Sequence, residues 1–241
     1  MTDPYSHASA ASERYCVELI RDHDEDFMLS SGYALADDAE RIRALFALQI
    51  ELRRIPRLVS EAPLGEIRLQ WFREALDEAM LGVRPRAHPV IETLTAAKAV
   101  NAYTRPLMER LIDSRARLLY DPSFASLDDF RSFMRDAEAP LARIAAGEGA
   151  ANAAELEEIG EAYALARYAP LLAPALAKAA CAAARDAFAT LSRRAGSLKA
   201  DLVGRMAFLT LARGYAARPA GGEWPLAKRL AVLRCVATGR L

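Results

Sequence analysis

The protein has 241 residues, of which 53% are hydrophobic and 27% are charged, and this balance excludes a disordered chain. Its 32 Lys and Arg residues equal its 32 Asp and Glu residues, so no excess of positive charge indicates a nucleic-acid partner. The length allows one large domain with a substantial buried core.

The cysteine pattern and the hydropathy indicate in which cellular compartment the protein is found. Cys16, Cys181 and Cys235 form no CxxC pair, and an odd number of scattered cysteines favours buried thiols in a reducing compartment. The first residues lack the apolar stretch of a signal peptide, and no run reaches the roughly 18 apolar residues of a membrane-spanning helix. We expect a cytoplasmic protein, with peripheral contact to the inner face of a membrane left open.

Helical periodicity dominates the chain, whereas the alternation that is typical of strands is nearly absent. Residues 37–55 have an apolar stripe with Asp37 or Asp38 as the N-cap. Residues 64–80 have a second stripe. The two predicted apolar faces consist of Ile42, Leu45, Phe46 and Ile50, and of Leu64, Ile67, Trp71, Ala75, Leu76 and Met80.

Short breaks divide the rest of the chain into further helices. The prolines within 82–89 end the second helix, and Pro106 marks the first turn or a kink of a helix within 102–120. Ser126 is predicted as an N-cap, with Asp129 three residues later. An alanine-rich helical region is interrupted at Pro170 and Pro174, and residues 215–224 precede a last helix that begins at Pro225.

These patterns predict an all-α fold with one helical domain of eight or more helices. We expect residues 1–14 to be a flexible N-terminus and residues 15–241 to form the domain. Aromatic residues at helical spacing are interpreted mainly as core residues. They are Trp71, Phe72, Phe130, Phe133 and Tyr163.

Few residue clusters indicate a metal or a nucleophile. His7, His23 and His88 are too scattered for a metal site, and the sequence has no G-x-S-x-G motif. Three pairs of acids have i, i+4 spacing and are interpreted as solvated helix faces. These pairs are Asp22 with Asp26, Glu74 with Glu78, and Glu157 with Glu161.

The order of several segments resembles the squalene/phytoene synthase family. The likeness runs from about Cys16 to the C-terminus, through "CVELIRDHDEDF", "RIRALFALQIELRRIPRLVSE", "LIDSRARLLYDPSFASLDDFRSFM" and "IGEAYALARYAPLLAP". The resemblance implies an isoprenoid-synthase-like helical bundle around a central cavity. It also implies, for the family's enzymes, head-to-head condensation of two prenyl diphosphates with Mg²⁺ held by two D-x-x-x-D segments.

The metal-binding positions of that pattern have no acids in this chain. The first aspartate pair falls on Pro56 and Ser60, and the second falls on Leu171 and, if the alignment has no gap, Ala175. None of these side chains is a carboxylate ligand for Mg²⁺. We therefore expect no catalytic residues, no metal ligands and no cofactor, and we expect Mg²⁺ only in the alternative of an active prenyltransferase.

The resemblance nevertheless implies a set of substrate-binding residues. The family's paired arginines fall on Arg53 and Arg54, its substrate-contacting Ser-Phe is matched best by Phe27 with Ser30 and Ser31, and its Asn falls on Arg167. The three arginines need anionic partners, which are either internal acids, such as Glu51 or Glu61, or a bound phosphate.

"LVSEAPLGEIRLQWFREAL" is similar to the branch of this family that contains the mitochondrial complex I assembly factor. This likeness implies a non-catalytic role in the assembly of a respiratory membrane complex, through a protein partner or through an isoprenoid or phospholipid ligand. An active squalene or phytoene synthase is the alternative. The last helix has Leu226, Leu230 and Leu233 among basic residues. Packing against the domain is favoured over docking on an anionic membrane.

Overall fold

The computed structural model describes residues 8–241, and within that range the protein is a bundle of thirteen α-helices. The only extended pairing in this part of the chain is an isolated bridge between Ser197 and Arg240. Two short 3-10 segments, Ala169–Leu171 and Ala207–Leu211, connect helices. The helices are α1 (Ala10–His23), α2 (Glu25–Ser31), α3 (Ala39–Leu58), α4 (Ala62–Met80), α5 (Pro89–Ala96), α6 (Thr104–Tyr120), α7 (Leu127–Ala137), α8 (Ala139–Ala146), α9 (Ala153–Tyr168), α10 (Pro174–Ala195), α11 (Ala200–Met206), α12 (Ala212–Ala216) and α13 (Pro225–Thr238).

The predicted all-α class is confirmed. Ser126 caps α7 as predicted, since its hydroxyl accepts a hydrogen bond from the Asp129 backbone N–H at 3.1 Å. Asp38 is the N-cap residue of α3, but its carboxylate binds Arg41 and Arg205 instead of the helix backbone.

The N-terminal boundary differs from the prediction. Residues 1–7 of the segment 1–14 lie outside the described residues, but α1 already begins at Ala10. Ser9 makes this early start favourable because its side chain accepts a hydrogen bond from the Ser12 backbone N–H, which would otherwise be unsatisfied.

Helices α3 and α9 form the centre of the bundle. Helix α3 packs against α1, α4, α5 and α6, and α9 packs against α8 and α10. Every residue from Ile159 to Ala166 is buried, as expected of a helix that is surrounded by others. Gly160 allows α8 to approach closely, because an added Cβ would lie 3.2 Å from the Ala139 carbonyl oxygen. The two central helices carry Arg53 and Arg167 near their C-terminal ends.

The apolar stripe predicted for α4 is wrong at three positions. Leu64, Ile67 and Met80 are exposed, and the helix buries a neighbouring face instead. That face contains small residues that allow closer packing, since a Cβ at Gly65 would overlap the Leu119 side chain of α6. The buried face consists of Gly65, Leu69, Phe72, Ala75, Leu76 and Ala79.

Helix α13 packs against the domain, as the favoured interpretation predicted, but it does not do so through its leucines. Leu226, Leu230 and Leu233 are exposed, whereas Val232 and Cys235 face the domain. The reason is that Lys228, on the same side as these two residues, reaches a buried acid. All three cysteines are free and buried, as predicted.

Candidate functional site

A cavity of about 680 Å³ lies against α3, α6, α7, α9 and α10, and its wall is divided into an apolar and a charged part. The apolar part includes Ile50, Pro56, Leu118, Pro122, Phe124, Phe130, Phe133, Met134, Leu171, Leu172, Ala173 and Leu176. The charged part contains five arginines and one acid, namely Arg53, Arg54, Arg57, Arg115, Arg167 and Glu138. Such a wall suits a molecule with an apolar body and a polar end.

Seven charged side chains connect into one series of alternating sign, and four of them line this cavity. We call this series the ion-pair chain. It joins residues from α2, α3, α6, α9 and α13 with two acids that lie at helix boundaries. In order, its members are Lys228, Asp26, Arg167, Asp24, Arg53, Glu138 and Arg115.

Arg53 lies at the centre of the ion-pair chain and is held by two acids. Its Nη1 donates to Asp24 Oδ2 at 2.6 Å, and its Nε donates to Glu138 Oε1 at 3.1 Å. A third contact joins Nη2 to Glu138. Arg115 approaches Glu138 from the other side, with Nη2 at 2.7 Å from Oε1. Gln49 Nε2 donates to Glu138 Oε2 at 2.8 Å.

The other half of the ion-pair chain is centred on Asp26, which is almost fully buried. Its Oδ2 accepts hydrogen bonds from the hydroxyls of Tyr163 at 2.7 Å and Tyr215 at 2.6 Å. Its Oδ1 accepts a hydrogen bond from Lys228 Nζ at 2.8 Å. Arg167 joins the two halves, because Nη2 lies 3.0 Å from Asp24 Oδ2 and Nη1 lies 3.5 Å from Asp26 Oδ2.

Local structure explains why the acids are placed here. Asp24 separates α1 from α2, and its Oδ1 caps α2 by accepting from the Phe27 N–H at 3.1 Å, which leaves Oδ2 for the arginines. Glu138 directly precedes α8. Arg167 lies in the last turn of α9, where the helix dipole favours a cation.

The pKa values follow from burial and from these partners. Burial alone would raise the pKa of Glu138, but the charges of Arg53 and Arg115 outweigh burial and lower that pKa to about 2. Burial also opposes ionisation of Asp26, whose pKa is nevertheless lowered by Arg167 and Lys228. Glu138 and Asp26 are therefore ionised at neutral pH.

Of the six predicted substrate-binding residues, the structure brings Phe27, Arg53 and Arg167 together. The guanidinium carbon of Arg53 lies 4.9 Å from the centre of the Phe27 ring, and that of Arg167 lies 5.8 Å from it. Phe27 itself is fully buried and stacks on Phe46, with 4.3 Å between the ring centres. Its ring supports the arginines instead of lining the cavity.

The two predicted serines make hydrogen bonds within the helical bundle. The Ser30 hydroxyl donates to the Gly204 carbonyl oxygen at 3.0 Å and accepts from the Phe208 backbone N–H at 3.1 Å. The Ser31 hydroxyl donates to the Met28 carbonyl oxygen at 3.4 Å. Neither serine lines the cavity.

Arg54 lines the cavity outside the ion-pair chain. Its Nη1 lies 3.6 Å from Glu51 Oε1, so Glu51 is one of the internal acids that the sequence suggested. Asp24 and Glu138, however, are the main partners of the arginines, and no sequence pattern indicated them. Asp24 could have been suspected from its position as an N-cap before "EDF".

The four expected metal positions do not fit Mg²⁺ in their chemistry or in their geometry. Helix α3 ends at Leu58, so Pro56 and Ser60 do not lie on one helix face. Helix α9 ends at Tyr168, which leaves Leu171 in the following 3-10 segment and Ala175 on α10. Across residues 8–241, no group of three or more His, Cys, Asp or Glu side chains could hold a metal ion.

Two of the three acid pairs with i, i+4 spacing differ from the solvated faces that were predicted, whereas Glu74 with Glu78 lies on a largely solvent-exposed face as predicted. Asp22 is exposed, but Asp26 is buried on the next helix. Glu161 is buried and binds Arg131 and Arg135, because α7 packs across it. The remaining acids are paired as well, Glu157 with Arg110 and Arg143, and Glu74 and Glu78 with Arg86.

The helical bundle and its amphipathic cavity define a protein with the isoprenoid-synthase type of fold. The model of the squalene/phytoene synthase family matches residues 20–168, which is more than half of the chain. The chain therefore belongs to the squalene/phytoene synthase family.

Solved structures agree on the fold. A dehydrosqualene synthase in complex with a ligand has a TM-score of 0.65, at 11% sequence identity over 94% of this chain and 95% of that chain. The squalene synthase HpnC from Alicyclobacillus acidocaldarius has a TM-score of 0.59, at 14% identity over 93% of both chains.

The curated relatives are named as assembly factors, whereas the similar solved structures are named as synthases. The protein "NADH dehydrogenase (ubiquinone) complex I, assembly factor 6" of Bos taurus is 28% identical over 133 residues, which cover 55% of this chain and 40% of the relative. The Mus musculus protein of that name is 30% identical over 130 residues, which cover 54% and 39%. The matches thus span about two-fifths of these relatives.

Proposed function

We propose that this protein is a non-catalytic member of its family that acts in the assembly of a respiratory membrane complex. The observation that carries the proposal is the ion-pair chain, in which three of the cavity arginines, Arg53, Arg115 and Arg167, already pair with Asp24 or Glu138. The names of the curated relatives supply the biological process.

The chemical reason for proposing lost catalysis is the charge that a departing diphosphate develops. Metal ions stabilise that charge by bridging the phosphate oxygens. A guanidinium can bind a phosphate, but Arg53 and Arg167 already have acidic partners. No cofactor is proposed.

The proposal also includes a ligand that the cavity still binds. We place an isoprenoid or a phospholipid in the cavity, with its apolar chain against the phenylalanines of α7 and its polar end near Arg53, Arg54 and Arg167. The Phe27 ring lies against Arg53 and Arg167, whereas Ser30 and Ser31 are not assigned to the ligand.

The proposal also includes the location in the cell where the protein acts. No helix within residues 8–241 is long and apolar enough to cross a bilayer. We propose a cytoplasmic protein that works at the inner face of the membrane, where it meets a protein of the complex.

An active head-to-head prenyltransferase is the second candidate. The observation that favours it is the surviving cavity, which is large and has an apolar wall beside several arginines. This candidate requires a metal site built from shifted acids such as Asp22, Asp26 and Glu157, of which Asp26 already belongs to the ion-pair chain.

Deletion of the gene in the organism that encodes it tests the assembly role. We expect the amount of assembled NADH dehydrogenase complex, measured on native gels, to fall severalfold and to return when the gene is restored. Membrane hydrocarbons and their prenyl-derived products are measured in the same cells. Unchanged complex would contradict the assembly role, and unchanged complex with loss of a prenyl product would favour the prenyltransferase.

A further inference from the structure

Helix α13 has an apolar face that the rest of the bundle does not cover. Leu226, Leu230 and Leu233 are 73%, 66% and 51% exposed. Their spacing of four and three residues places them in one stripe along the helix. The stripe lies outside the part of the chain that matches the family model.

The opposite face of α13 is firmly attached to the domain. Val232 and Cys235 are buried, and Lys228 Nζ binds Asp26 of the ion-pair chain. At about 100° per residue, these side chains lie on the side of the helix opposite the leucine stripe. The stripe therefore points outward on a fixed helix and needs no rearrangement to be presented.

Cations flank the stripe on both sides. Arg229 and Arg234 are exposed, and by helical spacing they lie to either side of the leucines. From Pro225 to Leu241 the sequence contains no Asp or Glu. Nearby Glu25 is engaged by Lys228 at 3.1 Å.

We propose that α13 docks the protein on an anionic lipid bilayer, with Leu226, Leu230 and Leu233 in the interfacial region and Arg229 and Arg234 against the lipid phosphates. An outward leucine stripe between arginines is the arrangement of an interfacial amphipathic helix, and anionic lipids attract such cations.

A second copy of the chain fits this face less well. A twofold contact between two α13 helices would bring their arginines together without any acid between them. Three leucines also cover much less than the roughly 1,200 Å² that a stable protein interface buries.

Docking through α13 rests on the proposed contact with a membrane. The binding experiment measures neither catalysis nor complex assembly, so docking can fail while the proposed assembly role stands. The purified protein is sedimented with vesicles of phosphatidylglycerol and phosphatidylcholine in equal parts, and with vesicles of phosphatidylcholine alone. We expect binding to the anionic vesicles only, weakened by added salt.

Two double variants test the assignment to α13. Leu226→Ser with Leu230→Ser, and Arg229→Glu with Arg234→Glu, are each expected to weaken binding to the anionic vesicles by about tenfold or more. All four residues are exposed, so circular dichroism should show an unchanged fold. The matched control is Leu81→Ser with Val83→Ser, which changes two exposed apolar residues beyond α4 and should bind as the wild type does.

Three results would overturn the proposal. The first is wild-type protein that does not bind the anionic vesicles. The second is an equal loss of binding in the Leu81 and Val83 control. The third is a dimer in solution that the leucine variant dissociates, which would assign the face to a second copy.

Discussion

Replacement of Glu138 by alanine is expected to lower the free energy of unfolding by about 3–5 kcal/mol, the cost of breaking a buried ion pair by removing one partner. Glu138 accepts hydrogen bonds from Arg53, Arg115 and Gln49, and Arg115 is buried. Among the described hydrogen bonds, the variant leaves this arginine with that to the Ala137 backbone carbonyl at 2.6 Å. Chemical denaturation of both proteins measures the difference.

Glu148→Ala is the matched control for that experiment. Glu148 is exposed in the loop after α8, so its removal should change the free energy of unfolding by no more than about 0.5 kcal/mol. Equal, small effects of the two substitutions would contradict a structural role for Glu138.

The same carboxyl group makes stability depend on pH. The pKa of Glu138 is about 2 in the folded protein against an ordinary value of 4.5, so the unfolded chain binds the proton more readily. The resulting stabilisation, about 3 kcal/mol, is complete above about pH 5 and is lost as the pH falls towards 2. Glu138→Ala should therefore show a weaker loss of stability between these pH values than the wild type.

The second large effect is expected at Asp26. Asp26→Ala should lower the free energy of unfolding by about 3–5 kcal/mol, because four side chains lose a buried acceptor. They are Tyr163, Tyr215, Lys228 and Arg167. Thermal unfolding followed by circular dichroism measures the loss.

Asp22→Ala provides the comparison, since Asp22 is 57% exposed and pairs only with its neighbour Arg21 among the described ion pairs. A surface pair of this kind contributes little to the free energy of unfolding, because solvent screens its charges. Should Asp22→Ala and Asp26→Ala unfold at the same temperature, the ion-pair chain would not be a stabilising element.

Local sequence patterns were sufficient for the helices and for some of their ends. Ser126 was identifiable as a cap because its hydroxyl bonds a backbone group three residues away. The family resemblance placed one pair of expected metal ligands at Pro56 and Ser60, and the sequence alone shows that neither residue is a carboxylate.

The partners of the arginines could not be found in this way. Arg53 meets Asp24 across 29 residues and Glu138 across 85, and the packing of α3 against α8 decides such contacts. Similarly, the stripe of α13 looks like a packing face in the sequence. The hydrogen bond between Lys228 and Asp26, which are 202 residues apart, holds the opposite face of α13 against the domain, so the leucine stripe is exposed.

We propose that the ion-pair chain has replaced the metal chemistry of the family. The most direct measurement is incubation of the purified protein with Mg²⁺ and farnesyl or geranylgeranyl diphosphate, followed by assays for released pyrophosphate and for hydrocarbon product. We predict neither product above a heat-inactivated control, with the helical fold intact by circular dichroism. Mg²⁺-dependent release of pyrophosphate with formation of a hydrocarbon would contradict the claim.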